Sequence, residues 1–516
     1  MLACLLLALP AAQTVQHTYY GDSAGDEFGS AVDVLGDLDG DGRDEFVVGA
    51  HWDSNNGFHA GSVTVFDGRT GQALAVFYGD TTQDWLGTSV AGAGDVDADG
   101  VPDIIAGAPQ PSPSISKLGY ARVYSGRTGA TLYTWYGGAV EDYAGYAVDG
   151  VGDLDRDGHA EIAVSAKNDD TLAGVDSGSV TVYSGSTGTV LFFFSGDSGG
   201  DYLGTSLAGC GDVNADGVPD IAAGASPIFG TGYVRVFSGR DGSSLQYYSY
   251  GGMFDQFGVS CDGAGDVDGD GYGDVIVGAN LDGGFPEPGS ARVLSGASGG
   301  LIHEYWGDLD ADSFGWSVRN AGDVDGDGVP DALVGAWQSL IGFGNGYARL
   351  FSGADGAVLL TLTGEGLDDD FGYAVAPAGD TDGEGLLDLL VGALSDDDNG
   401  ASCGSARLLT GFLLLREVAP GVAGAANVLE AAHATPGARV YFAYGSSAGR
   451  TPIPGCGSLS VGILHAQLAG TAYADPQGHA ALARNVPAAA SGRLFFYQAV
   501  QPSLCLASAV LSITFS

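Results

Sequence analysis

The chain has 516 residues, 45% of them apolar, with 89 glycines and a formal net charge of −46 from 64 acidic and 18 basic residues. Such a length predicts two or more folded units, and such a charge excludes nucleic acid and anionic membrane surfaces, which it would repel. The acids recur in spaced clusters between apolar runs, which excludes a solvated acidic tail as their explanation.

Residues 1–13, MLACLLLALPAAQ, form a short apolar run followed by small residues and are expected to be a secretory signal, although no basic residues precede the run. No other stretch is long and apolar enough to predict a membrane span. A secreted or cell-surface protein follows. Residues 15–21, VQHTYYG, then read as a strand with no unit of its own.

From Phe28 a single unit repeats seven times. Each copy opens with an apolar residue and glycine, as at Phe28-Gly29, Leu86-Gly87, Phe257-Gly258, Phe314-Gly315 and Phe371-Gly372. An acidic loop follows: DLDGDGRDE at 37–45, DVDADGVPD at 95–103, DLDRDGHAE at 153–161, DVNADGVPD at 212–220, DVDGDGYGD at 266–274, DVDGDGVPD at 323–331 and DTDGEGLLD at 380–388. The loops start 54 to 59 residues apart, a period that chance does not produce. After each loop comes a short apolar run ending in Gly-Ala, such as DIIAGA at 103–108. Next stands an alternating run, such as GSVTVFDG at 61–68 or GYARVYSG at 119–126. An aromatic-rich run closes the unit, such as TLYTWYG at 131–137. These runs are short, rich in β-branched and aromatic residues and bounded by glycine, which is the pattern of strands. Four antiparallel strands repeated seven times predict an all-β, seven-bladed β-propeller over 15–411, an architecture that leaves only short edges. The seventh copy lacks a good fourth strand. Residues 15–21 resemble LIHEYWG at 301–307 and are expected to supply it, with FLLLRE at 412–417 as the competing candidate.

The acidic loop reads D-x-D/N-x-D/E-G-x-x-D/E. Hard oxygens at alternate positions suit calcium, which takes 6–8 of them at about 2.3–2.6 Å. Position 1 is Asp37, Asp95, Asp153, Asp212, Asp266, Asp323 and Asp380. Position 3 is Asp39, Asp97, Asp155, Asn214, Asp268, Asp325 and Asp382. Position 5 is Asp41, Asp99, Asp157, Asp216, Asp270, Asp327 and Glu384. Glycine at position 6 permits the turn. The carbonyl at position 7 (Arg43, Val101, His159, Val218, Tyr272, Val329, Leu386) is expected to point inward. The acid at position 9 (Glu45, Asp103, Glu161, Asp220, Asp274, Asp331, Asp388) is expected to close the shell. In the first loop Asp44 competes with Glu45 for that role. The closing acid stands at position 9 and a strand follows at once, so the loop is not an EF-hand, which closes at position 12 between helices. Asp-Gly pairs also make plain turns, but seven complete copies favour up to seven structural calcium ions. The first, fourth and seventh loops, with Asp44 beside Glu45, Asn214 and Glu384, are expected to vary most in affinity.

This order of Phe-Gly, calcium loop and Gly-Ala resembles the FG-GAP repeat of integrin α-subunit propellers, in the free, secreted form found in bacteria. The resemblance implies a non-catalytic interaction platform for adhesion, with its calcium loops on the face away from the ligand. The third repeat departs furthest, with Ala144-Gly145 for Phe-Gly and Ser165-Ala166 for Gly-Ala. Strand order places the loops at 51–60, 109–118 and 337–345 on the opposite face, where variation between repeats marks a binding surface for an extracellular protein or polysaccharide. Trp52, Phe58, Phe285, Trp337 and Phe343 stand in loops of that face.

Residues 418–516 lose the repeat and read as strands between Gly/Pro turns, predicting a small Ig-like β-sandwich. The stretch from Ala474 to Cys505 resembles a terminal module of secreted bacterial repeat proteins. Cys456 and Cys505 lie in this segment and are expected to pair. No H-E-x-x-H occurs, and no G-x-S-x-G elbow or nucleotide-binding glycine loop stands out among the turns, so no catalytic residues are assigned and no enzyme is expected. The alternative is a carbohydrate-binding or carbohydrate-active propeller, marked by non-repeating polar side chains at the channel mouth.

Overall fold

A computed structural model describes residues 14–410, apart from 111–117, 283–287, 310, 339–343 and 384–386. Beyond 410 it describes the strands named below and residues 434, 438, 474 and 479. Among the described residues every regular element is a β-strand, and no helix is long and apolar enough to cross a membrane.

The repeats build seven four-stranded antiparallel sheets. Blade 1 runs through Phe28–Gly36, Glu45–Ala50, Ser62–Phe66 and Ala73–Tyr78, each strand pairing with the next. The first strands of blades 2 to 7 are Ser89–Gly94, Ala144–Gly152, Leu203–Gly209, Phe257–Gly265, Ser317–Gly322 and Phe371–Gly379. Each packs against the first strand of the neighbouring blade, and the seventh packs against the first, so the ring is closed around a central channel.

Blade 7 closes the ring with both chain regions. Its strands Phe371–Gly379, Asp388–Ala393 and Ser405–Thr410 are completed by Thr14–Tyr20, which pairs with Ser405–Thr410. The competing segment goes elsewhere: Leu414–Leu415 pairs with Ala431 and Ala432.

Burial follows strand position. In Glu45–Ala50, Asp103–Ala108 and Asp274–Ala279 every residue is buried, since a second strand is covered on both faces by adjacent blades. The outermost strands alternate with solvent, as in Ala73–Tyr78. Their aromatic content has a packing cause. A ring from the fourth strand of one blade stacks on a ring from the third strand of the next: Phe77 on Tyr124 at 3.9 Å, Trp135 on Tyr183 at 4.5 Å, Phe194 on Phe237 at 3.8 Å and Tyr305 on Phe351 at 4.0 Å. Across the closure Tyr19 meets Phe66 at 4.4 Å in the same way.

The paired glycines of the repeat mark a close approach of backbones. Gly87 has φ +93°, and a Cβ on Gly49 of the preceding blade would lie 2.2 Å from the Gly87 carbonyl oxygen. The same contact, at 2.0 Å, joins Gly107 to Gly145. Any side chain there would push blades apart.

Beyond the propeller, Leu414–Leu415, Ala426–Ala432 and Ala480–Asn485 form one sheet. A second is built on Gln467–Tyr473, Arg439–Gly445, Leu494–Gln501, Leu506–Ala507 and Leu511–Thr514. Ala448–Pro452 and Ser460–Ile463 make a hairpin. Leu429, Val440, Phe442, Tyr497 and Ala499 share one apolar core. Cys456 and Cys505 lie outside the described residues, and the described Cys210, Cys261 and Cys403 are buried free thiols.

Candidate metal sites in the blade loops

All seven acidic loops join a first strand to a second strand, so the alternation of antiparallel strands collects them on one face of the ring. Six of them share one hydrogen-bond pattern. In the second loop Asp95 accepts the amides of Asp99 at 3.0 Å and Gly100 at 2.9 Å, Asp97 accepts Asp99 at 3.2 Å, and Asp99 accepts Val101 at 3.0 Å. Position 1 does the same at Asp37, Asp153, Asp212, Asp266 and Asp323. Positions 3 and 5 follow at Asp39 and Asp41, Asp155 and Asp157, Asn214 and Asp216, Asp268 and Asp270, and Asp325 and Asp327. The backbone must turn left-handed at position 4 to do this, with φ +57° at Ala98, +63° at Arg156 and +58° at Ala215. In the seventh loop Asp380 accepts Gly383, while Glu384 and Leu386 lie outside the described residues.

These turns hold carboxylate oxygens together. Oxygens of Asp37, Asp39 and Asp41, and of Asp95, Asp97 and Asp99, lie within 4.8 Å of one another. The same holds for Asp153, Asp155 and Glu161, for Asp266, Asp268 and Asp274, and for Asp323, Asp325 and Asp331.

Position 9 has a second task that the spacing did not reveal. Asp103 accepts the amide of Val96 at 2.8 Å and that of Gly126, in the hairpin between third and fourth strands, at 3.0 Å. Glu161, Asp220, Asp274 and Asp331 repeat both bonds. Asp388 accepts the amide and hydroxyl of Thr381. This acid therefore staples the loop to its own blade. Burial raises its pKa, and loop carboxylates raise it further. The result is about 6 at Asp103, Asp220 and Asp274, about 7 at Glu45 and Glu161, and about 8 at Asp331. A buried anion beside two or three others fits a site completed by a hard divalent cation, which would favour the ionised form of every member.

In loop 1 it is Glu45 that staples the loop, accepting Leu38 N at 2.6 Å. Asp44 instead accepts the amide of Asp380 at 3.2 Å, across the closure between blades 7 and 1. His159, at position 7, also reaches the preceding blade, with Nδ1 2.7 Å from the carbonyl of Val96. An arginine from the third-to-fourth hairpin covers the position-5 acid in three loops: Arg69 on Asp41 at 3.0 Å, Arg127 on Asp99 at 2.7 Å and Arg240 on Asp216 at 3.3 Å.

Much of the remaining acidity is structural. An aspartate stands two residues before each repeat's opening apolar residue, and its carboxylate accepts a backbone amide of the preceding turn at Asp26, Asp84, Asp142, Asp201, Asp255, Asp312 and Asp369. In even blades a third-strand tyrosine adds its hydroxyl, as Tyr233 does to Asp201 at 3.1 Å and Tyr347 to Asp312 at 2.9 Å. In odd blades a serine at that place bonds an aspartate of the variable loop: Ser179 to Asp169, Ser290 to Asp282 and Ser405 to Asp396, each at 2.6 Å. The signal was present at constant spacing, but the loop motif beside it drew the reading.

On the opposite face the variable-loop aromatics divide. Phe58 is 59% exposed. Trp52 stacks on His59 at 4.9 Å, and Trp337 packs 5.6 Å from both Trp316 and Tyr373, so those two turn inward. Phe285 and Phe343 lie outside the described residues.

These features define a seven-bladed β-propeller with an acidic loop in every blade. The family described as FG-GAP repeat matches residues 28–66 and 86–127, and the chain carries FG-GAP repeats. It is 30% identical over 246 residues to integrin alpha-5 of Xenopus laevis, covering 44% of this chain and 22% of that protein. Integrin alpha-V of Gallus gallus is 30% identical over 239 residues (42% and 22%). Integrin alpha pat-2 of Caenorhabditis briggsae is 32% identical over 230 (38% and 18%). The chain thus spans about a fifth of the length of these relatives. A solved structure described as the Dos1 propeller aligns with a TM-score of 0.44 at 10% identity, covering 79% of this chain and 95% of that one.

Proposed function

We propose that the protein is a secreted or cell-surface binding platform without catalytic activity, whose blade loops each hold a structural calcium ion. The carrying observation is the convergence of loop carboxylates in at least five blades on one face. The ligands would be positions 1, 3 and 5, the position-7 carbonyl and the position-9 acid. When bound, the ion supplies positive charge that lets the buried position-9 acid ionise while it staples the loop to its blade. The likeness to integrin α-subunits supports the same layout. The other face, with Phe58 exposed and its loops unlike one another, would meet an extracellular protein or polysaccharide. The C-terminal strands would form an accessory Ig-like β-sandwich.

The test is a glycan and matrix-protein binding screen with calcium present, run beside polysaccharide hydrolysis assays. Binding without turnover supports the platform. Turnover of any bound polysaccharide would replace it with a carbohydrate-active propeller.

A further inference from the structure

The connections of the two faces differ in what they expose. Among the described residues of the acidic-loop face, the one large apolar or aromatic side chain exposed in a connection is Tyr272. On the other face the connections of blades 3 to 5 expose Leu172, Val175, Ile228, Phe229, Met253 and Phe254. The first two stand between the second and third strands of blade 3, the next two at the same place in blade 4, and the last two between blades 4 and 5. Hydrogen bonds and a ring contact join these segments into one sector. Gly200 N, in the connection from blade 3 to blade 4, donates to Val175 O at 2.9 Å. Asp201 beside it accepts the hydroxyl of Tyr233, which follows the Ile228 segment, at 3.1 Å. Phe254 N donates to Gly230 O at 3.3 Å, and the rings of Phe229 and Phe254 meet edge to face at 6.0 Å.

Phe254 stands three places before the repeat's opening residue, where the backbone turns left-handed in all seven copies. The other copies put Gly25, Gln83, Glu141, Gly200, Ala311 and Asp368 there. A phenylalanine at φ +78° strains a backbone that glycine would leave relaxed. Core packing does not account for the choice, since the residue is 46% exposed. A strained, bulky residue directed to solvent points to a partner outside the chain.

The chemistry of the sector narrows what that partner is. Leu172 is fully exposed and Phe229 is 80% exposed, so both stand proud of the surface and line no groove into which a folded protein would fit. The six side chains offer aliphatic carbon, two phenyl rings and a thioether. None carries a hydroxyl, amide or indole N–H to meet the hydroxyls of a saccharide. Segments 168–177, 226–232 and 249–256 hold no lysine or arginine, and they carry Asp169, Asp170, Asp176 and Asp255. Such segments repel anionic headgroups and repel a second copy of the same face. Protruding apolar tips without cations suit the interfacial region of an uncharged bilayer, where hydrocarbon is close beneath the headgroups.

We infer that this sector of the variable-loop face docks on a zwitterionic lipid surface, with Leu172, Phe229, Met253 and Phe254 inserted at the interface and the acidic-loop face turned to solvent. The inference names a partner for the face that the platform reading already assigns to binding, and it rests on that reading for placing the protein outside the cell.

The experiment is co-flotation of the full chain with lipid vesicles, in calcium and near-physiological salt. One set of vesicles is pure phosphatidylcholine and the other is phosphatidylcholine and phosphatidylserine in equal parts. The chain is expected to float with the first set and to bind the second more weakly. Phe229→Ser should weaken partition about tenfold, since binding follows the apolar area inserted. Phe254→Gly removes a tip and also relieves the left-handed backbone, so it should weaken partition several-fold while the thermal midpoint stays level or rises. A weaker partition with an undiminished midpoint separates a lost contact from a lost fold. The inference is overturned if the chain does not float with phosphatidylcholine at millimolar lipid, if both variants float as well as the parent, or if flotation requires phosphatidylserine. It is also overturned if no vesicle binds and Phe229→Ser instead abolishes capture of a matrix protein, an outcome that assigns the tips to a protein partner and leaves the platform reading standing.

Discussion

The two faces of the propeller are made from the same seven repeats and obey different rules. On the acidic face the copies are nearly interchangeable: position 1 accepts the same two amides in six loops, and position 9 ties the loop to its hairpin blade after blade. Toward the other face the copies diverge. The residue two places after the repeat's opening residue is Ser30, Thr88, Tyr146, Thr205, Val259, Trp316 or Tyr373. Uniformity marks what every blade needs in order to close a ring. Divergence marks what only one molecule needs.

That comparison can be broken at its strongest point first. Tyr19 is the aromatic that the N-terminal strand contributes to the closure, packed between Phe46 and Phe66. Tyr19→Ala should cost about 3–5 kcal/mol, the range for deleting a buried aromatic ring, read as a fall in the denaturation midpoint. A cost below about 1 kcal/mol, the scale of a surface change, would mean that the closure contributes little. Next in size, Asp103→Ala strips two enclosed amides, Val96 N and Gly126 N, of their acceptor. The expected cost is about 2–6 kcal/mol at 1–3 per orphaned group, together with the loss of one bound calcium by mass spectrometry. Retention of the full metal count would remove position 9 from the ligand set.

A pH series on chelated protein sharpens the same contrast. The position-9 carboxyls have folded-state pKa values raised to about 6–8, so the folded chain binds protons that the unfolded chain releases. Their contribution is present at lower pH and is lost as pH rises through that window. Calcium-free protein should therefore melt lower at pH 8.5 than at pH 5.5, and calcium should shrink the difference. The smallest effect concerns Ala98, held at φ +57° where other loops have glycine, as at Gly40 and Gly269. Ala98→Gly should stabilise by up to about 1 kcal/mol through relief of a left-handed alanine, measured by urea unfolding. Destabilisation would mean that the unfolded-state entropy of glycine outweighs the relief.

The repeat, its four strands and the acidic loop were legible because each rests on local chemistry: alternation, glycine at forced turns and carboxylates at fixed offsets. The closure was legible from VQHTYYG because its pattern matched another copy's fourth strand. The roles that depend on the neighbouring blade were not legible. Asp44 and Glu45 are adjacent acids, and only the ring places Asp44 against Asp380 of blade 7. The aspartates preceding each repeat are equally periodic, yet their hydroxyl and amide donors come from residues distant in sequence, as Tyr347 does for Asp312. Trp52 and Trp337 read as aromatics of the variable loops, but each packs against a neighbouring ring, Trp85 and Trp316 respectively.

The central claim is that a cation completes each acidic loop and thereby holds its blade. The most direct test is native mass spectrometry of the full chain for bound calcium, paired with thermal unfolding with and without chelator. The account predicts several calcium ions per chain, up to seven, and a large fall in the unfolding midpoint on chelation. No bound calcium and an unchanged midpoint would reduce the loops to turns made by Asp and Gly alone.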